Sequence, residues 1–100
     1  MIIAVSYSGC RLLDVDNFRE LKITSPSGLT GNALDAALVR LGHLTSATGA
    51  LVSREALRAL ADRDGNAAWI AGYTTMLAQA RVHGWIEEAS GAIKVHVEFI

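Results

Sequence analysis

The side chains with the most direct chemical potential are Asp14 and Asp16, two residues apart and followed by Asn17. Carboxylates at that spacing point to one side of an extended segment, where they can share a divalent cation, with Lys22 or Asp35 as further polar groups. The simpler reading is local: Asp and Asn accept hydrogen bonds from backbone amides a few residues on, and so form turns and helix caps. Cys10 adjoins Arg11, whose cation would favour a thiolate. With no base or oxyanion motif nearby in sequence, a packed thiol is the preferred assignment. His43, His83 and His96 lack metal-ligand spacing, and His83 suits the negative end of a helix dipole. The glycines fall in no phosphate-cradling frame. Neither a catalytic group, a metal site nor a cofactor site is expected, and the chain is not expected to be an enzyme.

The composition narrows the classes further. One hundred residues with 51% apolar content suffice for one core and exclude a disordered chain. Nine Lys and Arg against ten Asp and Glu give a net charge of −1, so no long-range field draws the chain to phosphate. A lone cysteine cannot form an internal disulfide, which fits a reducing cytoplasm. The run Met1 to Val5 is short for a signal segment, and no stretch approaches the ~20 apolar residues of a membrane span.

Elements able to position these residues follow from periodicity. Ile3, Val5 and Tyr7 share one parity of a strand over Ile2 to Tyr7. Leu12, Val15, Phe18 and Leu21 recur every third residue, which predicts a short helix capped by Asp14 or Asp16. Thr24 to Gly28 contains the only proline and marks a boundary, dividing a strand and short-helix appendage, 1–28, from a main domain, 29–100. Leu34, Leu38, Leu41 and Leu44 predict a helix ending near Ser46. Ala50 to Val52 reads as a short strand, and Ser53 as the cap of a helix reaching Ala61. After a break at Gly65, Ile70, Tyr73, Leu77 and Ala80 form the core line of a helix over 67–83, with Trp69 and Met76 beside it. Gly72 inside that helix costs ~1 kcal/mol relative to alanine, so a backbone or bulky ring such as a tryptophan should pack against it. Trp69, Tyr73 and Trp85 could form a base-stacking platform, but packing is the preferred assignment. Gly84 stops the helix. A hairpin then runs from Trp85, with Ile93, Val95, Val97 and Phe99 alternating against Lys94, His96 and Glu98.

Helix, short strand, helix, turn, helix and hairpin, ending in Met76-Leu77-Ala-Gln-Ala-Arg-Val-His-Gly84-Trp-Ile86, resembles a winged helix-turn-helix domain over Leu29 to Phe99. The resemblance implies an α+β fold: a three-helix winged-helix core, a C-terminal β-hairpin and a short N-terminal β appendage. It also implies a DNA-binding transcriptional regulator. Carried onto this sequence, the groove contacts would be Asn66, Thr74, Thr75, Gln79 and Arg81, and the wing contacts Lys94 and His96. The alternative is an adaptor that binds protein, or a second copy of itself, through Ala71, Thr75, Ala78 and Val82 or through its terminal strands. More remotely, Asp14-Val-Asp16-Asn17 resembles the acidic element of RusA-type Holliday-junction resolvases, which implies a metal-dependent nuclease.

Overall fold

The computed structural model describes all residues, 1–100, and its order of elements is not that of a winged helix. Strands β1 (Ile2–Ser6), β2 (Gly9–Leu13) and β3 (Lys22–Ser25) precede helix α1 (Gly31–Ala37). Strands β4 (Gly42–Ser46) and β5 (Gly49–Val52), helices α2 (Arg54–Ala61) and α3 (Ala67–Val82) and strand β6 (Ile93–Phe99) follow. All six strands form one mixed sheet in the order β2-β1-β3-β6-β5-β4. The three-helix core with an attached wing is therefore replaced by a sheet with helices layered on it. Residues 1–28, expected to be an appendage, supply three of the six strands.

Register explains which side chains are buried. Ile3 lies beside Ile23, which lies beside Val97, and Ala50 and Val52 of β5 face Val95 and Ile93 of β6. These residues share one face, and all are buried. The same face meets Leu34 from α1 with Leu38 at its C-cap, Leu57 and Ala61 from α2, and Trp69, Tyr73 and Ala80 from α3 in a single cluster. The opposite parity carries the exposed Arg11, His43, Lys94, His96 and Glu98, with Leu51 buried between its neighbours His43 and Lys94. A mixed sheet covered on one side accounts for this alternation of apolar and polar residues.

The expected hairpin persists as a short antiparallel link: Ile86 bridges Ile93, the Lys94 amide donates to the Trp85 carbonyl at 2.7 Å and the Glu87 amide to the Ala92 carbonyl at 2.9 Å. Most of β6 has other partners, running parallel to β3 and antiparallel to β5. The long helix expected through Leu44 ends at Ala37, and Leu44 belongs to β4. Asp35 stabilises that change of direction by accepting the Leu44 amide at 2.7 Å. Gly42 makes it sterically possible, since a Cβ there would lie 1.8 Å from the Leu51 carbonyl oxygen.

The short helix expected after Asp14 is a loop. Asp14 has a left-handed backbone (φ 50°) and its carbonyl accepts the Asn17 amide at 2.9 Å, which closes a turn. The loop wraps the buried Met1, whose ammonium donates to the carbonyls of Asn17 and Glu20. Its apolar residues pack outward from that turn: Phe18 lies against Trp69 with ring centroids 5.7 Å apart.

Gly72 is where that loop meets α3. A Cβ on Gly72 would lie 2.5 Å from the Phe18 ring, so the ring that needs the glycine is a phenylalanine and not a tryptophan. Gly72→Ala should lower stability by ~1–3 kcal/mol despite alanine's better helix propensity, because a packed ring must move. Urea unfolding checks this, and adding Phe18→Leu should recover most of the loss. Additivity of the two changes would show that the contact is not the cause.

Candidate functional site

Helix α3 is unusual in composition. Its sixteen residues include a single charged side chain, Arg81, whereas the eight of α2 include Arg54, Glu55 and Arg58. Asn66 caps α3 by accepting the Trp69 amide at 2.9 Å, and Ser53 caps α2 by accepting the Ala56 amide at 3.2 Å. At the other end, Gly84 adopts φ 78°, and the Trp85 amide closes the helix on the Ala80 carbonyl at 2.8 Å.

One side of α3 is firmly anchored. Trp69 stacks on Tyr73 at 4.9 Å and its indole donates to the Val15 carbonyl at 2.8 Å. The Tyr73 hydroxyl donates to the Arg54 carbonyl at 2.7 Å, tying α3 to α2. On the other side, Ala71, Thr75, Ala78 and Val82 are all exposed, Val82 by 80%. At 100° per residue this row is opposite the line of Trp69, Tyr73 and Ala80.

The residues expected to contact DNA are spread over several surfaces. Asn66 is occupied as a cap, and Thr74 donates to the Ile70 carbonyl at 2.9 Å beside the groove between α2 and α3. Thr75 lies in the exposed row and Gln79 flanks a separate cleft. Arg81 lines the same α2–α3 groove as Thr74 and pairs with Glu88 at 3.0 Å. Lys94 and His96 project from β6 on the open face of the sheet, not from a wing. Of the aromatic trio, Trp69 and Tyr73 stack within the core, while Trp85 stacks separately on His83 at 4.6 Å.

The other chemically suggestive residues have structural roles. Asp14 and Asn17 form the turn described above, and Asn17 also accepts the Arg19 amide at 3.0 Å. No group of three His, Cys, Asp or Glu side chains is placed to hold a metal ion. Lys22 is engaged by Glu20 at 3.3 Å and Glu98 at 3.2 Å, and Asp35 holds Leu44. The Cys10 thiol lies against the Ala37 carbonyl at 3.3 Å, and burial pushes its pKa upward, the reverse of the activation that neighbouring Arg11 suggested.

One feature was not visible in the sequence. A cleft of about 400 Å³ opens between the 18–21 loop, the second half of α3, and Trp85 with Lys94. Its members come from three separated segments, so no local pattern joins them. The only local signal is a tryptophan directly after the helix-stopping Gly84.

Comparison of the chain with known protein families, curated proteins and solved structures gives no match to any of them. No helix is long and apolar enough to cross a membrane.

The α2–α3 tie predicts a pH dependence. Burial first, and the negative charge of Glu55 second, hold the Tyr73 hydroxyl well above the ordinary phenol range, against the opposing effects of Arg54 and Arg58. A folded-state pKa above the unfolded value of about 10 gives stability that is complete below that pH and declines as pH rises above it. Tyr73→Phe should cost ~1 kcal/mol near neutrality, and the gap from the parent protein should narrow above about pH 10. Urea titrations across that range test it, and a constant gap would remove Tyr73 as the source.

Proposed function

We propose that this chain is a non-enzymatic interaction domain that pairs with a second copy of itself through the exposed row of α3. The observation carrying this reading is the mismatch between the composition and the burial of α3. A helix apolar on nearly every side is normally enclosed, yet this one has Ala71, Thr75, Ala78 and Val82 in water. Small side chains along that row would let two helix axes approach to ~8 Å. The row carries no charge, so a two-fold axis would bring no like charges together. A lone, partly buried thiol suits a reducing compartment, and the domain is read as cytoplasmic on that basis.

The regulator reading has less support. Of its proposed groove contacts only Thr74 and Arg81 share a surface, Arg81 is paired, and Glu87 and Glu88 follow α3 where phosphate would have to approach. The net charge of −1 adds no attraction.

Light scattering over a wide concentration range should give a mass approaching twice 10.6 kDa and falling on dilution. Val82→Glu combined with Ala78→Glu should keep the native circular dichroism, because both positions are exposed, and should remain monomeric. A constant 10.6 kDa for the parent protein would overturn self-pairing. Binding of duplex DNA that weakens linearly with salt on logarithmic axes would favour the regulator instead.

A further inference from the structure

We draw no further inference here: the strongest candidate, the cleft of about 400 Å³ between the 18–21 loop, the second half of α3 and Trp85, offers an apolar lining from Phe18, Leu21, Met76 and Ile93, and nothing in the structure shows what covers it.

Discussion

The insertion of β6 between β3 and β5 is the constraint on which the rest of this structure depends. It joins Ile93–Phe99 in parallel to Lys22–Ser25 and antiparallel to Gly49–Val52, so the beginning, middle and end of the chain meet in one hydrogen-bonded ladder. The Ile100 amide extends that ladder to the Ser25 carbonyl at 2.9 Å, and the Ser27 amide returns to the Ile100 carbonyl at 3.1 Å. Parallel neighbours cannot be joined by a tight turn, so residues between β3 and β6 must leave the sheet and return. They do so as the β4–β5 hairpin at the far edge and as three helices over one face. The sheet curls around α1, which touches β4 toward one edge and β1 toward the other, with Cys10 of β2 on the Ala37 carbonyl.

What could be read in the sequence was local, and what could not was pairing. Alternation in Ile93–Phe99 correctly separates buried from exposed residues, because side-chain parity belongs to the strand itself. The Ser53 cap, the Ala50–Val52 strand and the stop at Gly84 were equally legible, since each depends on a few adjacent residues. The short link from Trp85–Ile86 to Ile93 is local and legible, whereas nothing within β6 identifies its main neighbours as residues near positions 23 and 50. Leu41 and Leu44 fit helical spacing, yet the chain turns at Gly42, where the Leu51 backbone needs the space of a missing side chain. Pro26 looked like a boundary, but Ser25 is fully buried and its hydroxyl donates to the Leu29 carbonyl at 2.8 Å, which makes the segment an ordered turn within the core.

The candidate sites divide in the same way. The exposed row Ala71, Thr75, Ala78 and Val82 could be named from helical periodicity alone, and its exposure follows once Trp69 and Tyr73 are seen to anchor the opposite side. The cleft required tertiary information, because Phe18 and Leu21 sit on a loop that periodicity describes as a helix. That loop is ordered by contacts distant in sequence: the Met1 ammonium on Asn17 and Glu20, the Trp69 indole on Val15, and Phe18 on Gly72. Its apolar residues are spaced by the partners they meet and not by an intrinsic helical turn.

Two large faces remain open to water, and their chemistry distinguishes them. On the uncovered face of the sheet, Lys22 is ion-paired with Glu20 and Glu98, and Arg11, His43, Lys94 and His96 keep solvated polar groups. A surface of that kind is stable in water without a partner, since transferring those charges into an interface would carry a desolvation cost. The outer row of α3 has three small or branched apolar residues and one threonine, with no charge to solvate. Covering it removes apolar area at ~25 cal/mol per Å² and strips no ion of water. Of the two faces, α3 is the one for which association is favoured by its own composition, and the caps, the Tyr73 hydroxyl and the Trp69 indole keep that helix rigidly presented for it.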